Sequence, residues 1–337
     1  MPGDRCISVI IAAFNAGETL PGCLTGLRHS LLSPFEIIVV DDGSADCTAT
    51  VARDFGCTVI SNGQRSGPAR ARNLGAANAR GAILVFLDAD VIPHADTLGQ
   101  LISHFADPVI GGVFGAYDDA PSDPGFFSRY RNLLHCHTHR IGRANAATFW
   151  AGCGAIRREL FQAFGGFDER YEHASIEDVE LGMRLTDAGV RIRLDAEAKA
   201  QHLKRWTLLR MSRADVLHRG IPWTRLIFER RRMPNDLNVR WSQRISVGAA
   251  WVALGAACSG QMLAAAGAVA TVALCNWPFL KFLKQRAGWS FPIRALPVQF
   301  LFSFYCGLSF LAGALVHLRH TATGTAPLAS IKTTVRL

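Results

Sequence analysis

Ile83-Leu84-Val85-Phe86-Leu87 is an unbroken apolar run of strand length, and it ends in Asp88-Ala89-Asp90. Gly81 precedes the run and Pro93 follows it, so it reads as a buried strand of a mostly parallel sheet. In open sheets of that kind ligands bind at the carboxyl ends of the strands. This strand therefore delivers two carboxylates to a ligand site. Paired hard oxygen ligands suit Mg²⁺ or Mn²⁺, ions that share their coordination with substrate phosphates. Asp is also common in turns, and a short motif alone matches easily by accident.

Two further runs carry the same signature. Ser8-Val9-Ile10-Ile11-Ala12-Ala13 ends in Phe14-Asn15, and Glu36-Ile37-Ile38-Val39-Val40 ends in Asp41-Asp42-Gly43-Ser44. A helix is expected after each: Ser44 or Asp46 can cap one running through Phe55, and Arg70 to Ala79 is Ala-rich. Strand–helix alternation predicts a doubly wound α/β layer, with three polar strand ends converging on one edge.

The chain resembles a family 2 glycosyltransferase of the GT-A fold, of a membrane-anchored bacterial type. The resemblance rests on Ser8–Asn15, Ile38–Ser44, Gly67-Pro68-Ala69-Arg70-Ala71-Arg72-Asn73-Leu74-Gly75, Phe86–Asp90, Gly165-Gly166-Phe167-Asp168-Glu169 and Ile176-Glu177-Asp178-Val179-Glu180-Leu181. These six motifs stand in the family's order across roughly residues 6 to 203. The resemblance implies a nucleotide-sugar donor, with Asp41 and Asp42 beside its base and ribose. It implies that Asp88 and Asp90 hold the metal and diphosphate, joined by His202, and that Asp178 is the general base with Glu177 behind it. It also carries Ala12, Phe14, Asn15, Gly67, Arg72 and Ala89 to the donor site. The chemistry needs these types: a divalent ion neutralises the leaving diphosphate, and a carboxylate takes the acceptor hydroxyl proton. Acids are also ordinary first-turn residues of a helix, and a lone His has many uses.

Phe149-Trp150-Ala151-Gly152 lies between the metal motif and Asp178. An aromatic beside small residues suits stacking on a sugar face, so Trp150 and Gly152 join the donor site, with core packing as the alternative. His135, His137 and His139 are spaced for one face of a strand, but no second ligand pair stands near them at structural-zinc spacing. A role lining the acceptor entrance is the expectation there. His218-Arg219-Gly220-Ile221-Pro222-Trp223 is a poor match to the Gln-x-x-Arg-Trp signature of processive members. Phe14-Asn15-Ala16-Gly17 lacks the Gly-rich, basic phosphate loop that a nucleotidyltransferase would want. A catalytically inactive nucleotide-sugar-binding scaffold is the remaining alternative, and the acids such a protein would be expected to lose are present.

The second half is different material. Residues 245–280 carry no charge over 36 positions. As one helix they would measure about 54 Å, against a hydrocarbon core of about 30 Å. Two crossings turning near Ser259-Gly260-Gln261 are expected, and the charge-free run 295–318 supplies a third. Residues 204–244 hold 11 Lys or Arg and three acids, a net +8 of the chain's +9. The positive-inside rule then puts this stretch and the catalytic domain in the cytoplasm, on a multi-pass protein of the cell inner membrane. Membrane lipids are favoured over nucleic acid as partners of the basic stretch, so no nucleic acid is expected. The expected division is 1–205 catalytic, 206–244 basic juxtamembrane, 245–320 transmembrane with about three helices, and 321–337 tail. The acceptor is expected to be lipid-linked or another membrane-proximal glycan. Nine single Cys with no Cys-x-x-Cys fit a reducing compartment, and no secretory signal is read at the start of the chain.

Overall fold

The structure, a computed structural model, describes residues 7–33 and 35–323. Cys6 and most of the expected tail, with Lys332 and Arg336, lie outside the described residues. The described chain divides into two compact units: residues 7–124 with 142–205, and residues 125–141 with 206–323.

The first unit is built on a sheet. Its strands are β1 (Ile7–Ala13), β2 (Glu36–Asp41), β3 (Thr58–Ser61), β4 (Ile83–Asp88), β5 (Val91–Pro93), β6 (Ile110–Tyr117), β7 (Asn145–Ala146), β8 (Cys153–Arg157) and β9 (Arg191–His202). Their order is β3-β2-β1-β4-β8-β6-β9-β5, with β7 pairing β9. Helices α1 (Leu20–Arg28), α2 (Thr48–Asp54), α3 (Pro68–Ala77), α4 (Thr97–Ser103), α6 (Arg158–Ala163) and α7 (Glu177–Asp187) belong to this unit, whereas α5 (Phe126–Arg140) belongs to the other.

The expected α/β layer is therefore present, but only part of it is parallel. The β3-β2-β1-β4 half is parallel throughout. Strand β8 then runs antiparallel to both β4 and β6, which makes the whole sheet mixed. Val9, Ile10 and Ile11 in β1 and Leu84, Val85, Phe86 and Leu87 in β4 are fully buried, as expected of central strands covered on both faces. The helices begin where local chemistry allows. Asp46 accepts from the Thr48 N–H at 3.0 Å at the head of α2, and Pro68 opens α3, where a missing N–H costs nothing. Ser44 does not cap α2; its hydroxyl accepts from the Asn15 N–H at 2.9 Å.

The second unit is helical. After α5 come α8 (Leu208–Arg213), a π-helical turn (Ala214–Gly220), α9 (Ile221–Arg230), α10 (Trp241–Cys258), α11 (Met262–Cys275), α12 (Trp277–Ala287) and α13 (Ser290–Thr323). Tyr130, Leu133, Met211, Phe279, Leu283 and Phe291 form its apolar centre. Arg131 and Asp215 make a bidentate pair inside it, and Tyr305 donates to the same carboxylate at 2.8 Å.

One expectation about this half is corrected. The catalytic domain does not run unbroken from 1 to 205, because 125–141 folds with the helices, and His135, His137 and His139 go with it. On a helix these three cannot converge, and among the described residues no group of three or more His, Cys, Asp or Glu could hold a metal ion. The expectation of about three crossings meets different helix lengths. Among the described residues one helix, α13, is long and apolar enough to cross a membrane; α11 and α12 pass that test only together, bent by 63°. The chain does turn at Ser259–Gln261, with Gly260 at φ 75°. However, the apolar part of α10 after Arg244 and the 14 residues of α11 each reach only about 21 Å. Pro278, in the first turn of α12, lacks the N–H needed to continue α11.

Candidate active site

Strand register assembles the site. Ala12 of β1 lies between Val40 of β2 and Asp88 of β4, and Ala13 pairs with Asp41. The two acid motifs therefore end side by side, separated by the small residues of β1. Asp88 N–H donates to the Gly152 carbonyl at 3.2 Å, which continues the β4–β8 pairing into the turn that carries Trp150. On the other side β5 pairs antiparallel with β9, setting Val91 opposite His202, and Leu203 N–H donates to the Asp90 carbonyl at 2.8 Å. Ala89 is buried between the two acids.

The acids differ in what they have left to offer. Asp42 is spent: Oδ1 accepts from Asn62 Nδ2, Ser66 N–H and Ser66 Oγ at 2.8 to 2.9 Å, and Oδ2 from Gly67 N–H at 2.8 Å. Asp42 pins the loop before α3, where Gly67 stands at φ 95° and a Cβ would strike the Glu172 carbonyl. Asp41 holds Ser44 N–H through Oδ1 at 3.0 Å, and its Oδ2 is left open. Asn15 is likewise a loop residue in part: its amide oxygen accepts from Ala45 N–H at 2.9 Å, with its own backbone at φ 48°. Phe14 is exposed at the same edge, and the Arg65 guanidinium lies 4.4 Å from its ring centroid.

Arg72 is buried and bridges two expected site acids. It donates to Asp88 Oδ1 at 2.6 Å and to Glu177 Oε1 at 2.8 Å. Glu177 also accepts from Ser175 N–H at 2.9 Å, so both its oxygens are engaged. Arg72 thus serves the donor edge through Asp88. Its neighbour Asn73 pairs with the Phe167 backbone in both directions, which explains the Gly165–Glu169 motif as a brace between α3 and the segment leading to α7.

Among the described residues Asp178 has no cationic partner at salt-bridge distance. It accepts from Ala151 N–H at 3.0 Å and from Val179 N–H at 2.8 Å, beside the turn that holds Asp88. Burial, then the negative charge of Glu177, raises its pKa to about 7, against the opposing pull of the Ala151 N–H and Arg72. Gly182 of α7 is required one turn on, since a Cβ there would strike the backbone at Thr148 and Phe149.

Asp88 Oδ2 has no protein partner among the described residues, and its side chain is 33% exposed. Asp90 Oδ2 faces His202 Nε2 at 3.7 Å and Lys204 Nζ at 4.0 Å, both beyond hydrogen-bond distance. Burial raises the Asp90 pKa, but His202 and then Lys204 outweigh it and hold the acid down to about 2. The His202 ring stacks on Tyr117 at 4.3 Å, and Tyr117 meets Trp150 edge-on at 4.7 Å. Tyr117, at the end of β6, is absent from the sequence-based site. Its only signal is the apolar run that closes on Tyr117-Asp118-Asp119. Trp150 packs against the core, in keeping with the alternative of core packing.

The Glycosyl transferase family 2 domain matches residues 8–165. The pre-mycofactocin glycosyltransferase of Mycobacterium tuberculosis is 32% identical over 212 residues, 60% of this chain and 43% of that protein. The O-antigen chain rhamnosyltransferase of Salmonella typhimurium is 27% identical over 234 residues, 64% of this chain and 74% of that protein. The chain thus spans less than half the length of the first of these relatives. In fold it is similar to the mannosyltransferase of Pyrobaculum calidifontis solved with GDP-Man and Mn²⁺: TM-score 0.60, 20% identity, 90% of this chain and 86% of that one. That likeness shows the GT-A type of α/β fold. With its domain match over residues 8–165, its curated relatives and its acid motifs at the ends of parallel strands, this chain is similar to the enzymes of glycosyl transferase family 2.

Proposed function

We propose that this protein transfers a sugar from a nucleotide-diphosphate donor to a lipid-linked or membrane-proximal acceptor, with inversion, using Asp178 as general base. The observation that carries the proposal is the division of labour among the acids. Glu177 is committed to Arg72 and Ser175, whereas Asp178 stands beside the Asp88 turn with a raised pKa. A base poised near neutral pH is partly deprotonated and still able to accept a proton.

The donor edge fits a divalent ion. Asp88 Oδ2 and the Asp90 carboxylate are hard oxygens one residue apart, and the protein supplies no closed cage around them. An open two-carboxylate site of that kind suits Mg²⁺ or Mn²⁺ shared with phosphate oxygens. When bound, such an ion would neutralise the charge developing on the leaving diphosphate. The protein's own residues do the rest. Arg72 fixes the Asp88 carboxylate, Asp41 offers its open oxygen to the nucleoside, and the Phe14 face is available to a base. His202, stacked on Tyr117, faces the diphosphate side in this reading, and Trp150 offers its ring to the donor sugar. Asp178 takes the proton of the acceptor hydroxyl as that oxygen attacks the anomeric carbon. One carboxylate on the acceptor side is enough for inversion, with no covalent sugar–enzyme intermediate.

The second unit supports membrane attachment through α13. Only 28% of its most apolar stretch is buried, and Leu308, Phe310, Leu311, Leu315 and Leu318 are exposed along it. With the basic 204–244 stretch, this supports reading the catalytic unit as lying at the cytoplasmic face of an inner membrane. The test is saturable binding of a nucleotide sugar by the purified full chain with Mn²⁺, followed by nucleoside diphosphate release. Binding of one donor that is lost in Asp90→Asn supports the proposal. A full donor panel with no saturable binder overturns it.

A further inference from the structure

The second unit contains a cavity of about 260 Å³ among α5, α10, the α11–α12 corner and α13. One wall is apolar, made by Leu134, Leu274, Phe279 and Phe302. The other presents His137 and Arg240, and no Asp or Glu lines the space. Gln243 and Asn276, also on the wall, are spent on each other at 3.1 Å, and Asn276 further donates to Ser246 at 2.9 Å. Arg240 has no hydrogen-bonding or carboxylate partner for its guanidinium among the described residues, although it is half-buried. It immediately precedes α10, whose first turn carries no acid and whose positive end adds to the same potential. His137 reports that potential: burial first, then the charges of Arg140 and Arg240, push its pKa down to about 4.

Two tryptophans flank this cavity. Trp241 and Trp277 are 62% and 61% exposed, and each is the chain neighbour of lining residues. Exposed tryptophans gather at the head-group level of membrane proteins. Leu274, a lining residue, is 71% exposed, so the apolar wall reaches the outer surface of the unit. The cavity is smaller than the roughly 300–1,000 Å³ of pockets that enclose a drug-sized ligand. It has room for a head group and the first carbons of a chain.

We propose that this cavity binds the phosphate head of an anionic lipid, with Arg240 as its charge partner and the Leu274 wall taking the start of the hydrocarbon chain. An unpaired guanidinium with no competing carboxylate is the recognition element for phosphate, and the apolar wall selects phosphate on a chain over phosphate alone. The site stands on the second unit by itself and does not depend on the sugar-transfer reading.

The test uses the full chain in maltoside micelles, without donor, titrated with dodecyl phosphate, dodecanol and inorganic phosphate. Dodecyl phosphate is expected to saturate one site and to bind at least about tenfold tighter than either of the others. Arg240→Gln should weaken dodecyl phosphate by about tenfold or more and leave dodecanol unchanged. Leu274→Trp, at an exposed position that tolerates bulk, should weaken dodecyl phosphate more than inorganic phosphate. Melting curves equal to wild type show that both variants are folded. Ranking dodecyl phosphate against dioleoylphosphatidylglycerol in mixed micelles tells a phosphate-terminated chain from a bilayer lipid, and either ranking with Arg240 dependence supports the site. Dodecyl phosphate binding that Arg240→Gln does not alter, or inorganic phosphate binding as tight as dodecyl phosphate, overturns it.

Discussion

The strand-end acids of the first unit and Asp215 of the second are both held by arginine, but to opposite ends. Asp215 accepts from two nitrogens of Arg131 and from Tyr305, and its side chain is 6% exposed. Nothing is left for a ligand, and the pair ties α5 to the π-helical turn and α13. Asp88 gives one oxygen to Arg72 and keeps the other open, and Asp178, among the described residues, has no cationic partner at salt-bridge distance. For Asp88 the difference is the oxygen it keeps open; for Asp178, whose two oxygens each accept one backbone N–H, it is the lack of a salt-bridge partner among the described residues. Asp42 makes the same point within the first unit: it stands in a site motif and is closed like Asp215.

The comparison can be broken in four places. Asp88→Asn or Asp90→Asn should remove transfer altogether, a loss of 10³-fold or more on the scale of losing an electrostatic group at the reacting diphosphate. EDTA should do the same to the wild type. Melting should be unchanged in Asp90→Asn and lowered in Asp88→Asn, which weakens the buried Arg72 pair, and full activity in EDTA without carried-over metal would contradict the assignment. Arg131→Met should act the other way, costing up to about 3–5 kcal/mol of stability by leaving the buried Asp215 with only Tyr305 and the longer Arg219 contact at 3.4 Å. Donor affinity per folded molecule should hold, as denaturant titration beside donor binding would show. Asp178→Asn should slow transfer by about 10²-fold or more while donor binding stays near wild type. Glu177→Gln should cost least, about tenfold, because it loosens one of two contacts that Arg72 makes and removes no proton acceptor. A dead Glu177→Gln beside an active Asp178→Asn would move the base to Glu177.

What was legible in the sequence was the part dictated by period and position. Apolar runs, two of them ending in acids, gave β1, β2 and β4 and put Asp41, Asp88 and Asp90 on one edge, because register follows from parallel pairing. The roles of Asp42, Gly67 and Arg72 were not legible, since they depend on how the loop before α3 folds back and on contacts 105 residues apart in sequence, such as Arg72 with Glu177. Tyr117 was hidden for the same reason: its partners Trp150 and His202 arrive from β8 and β9. Residues 125–141 look like part of the catalytic domain by sequence position, yet Arg131 and Tyr130 find their partners in Asp215 and Gln299. The charge-free 245–280 run suggested two full crossings. It gave a short hairpin and a bent corner, because Arg244 and Pro278 trim its helices below the span of a bilayer.

The pH dependence of transfer at saturating donor tests the central claim most directly. Asp178 must be deprotonated to accept the acceptor's proton, and its pKa is raised to about 7. The wild-type rate should therefore rise with pH through about 7 and level off above it, with Asp178→Asn flat across the same range. A wild-type rate already level from pH 5, or a rising limb that survives in Asp178→Asn, would contradict the account.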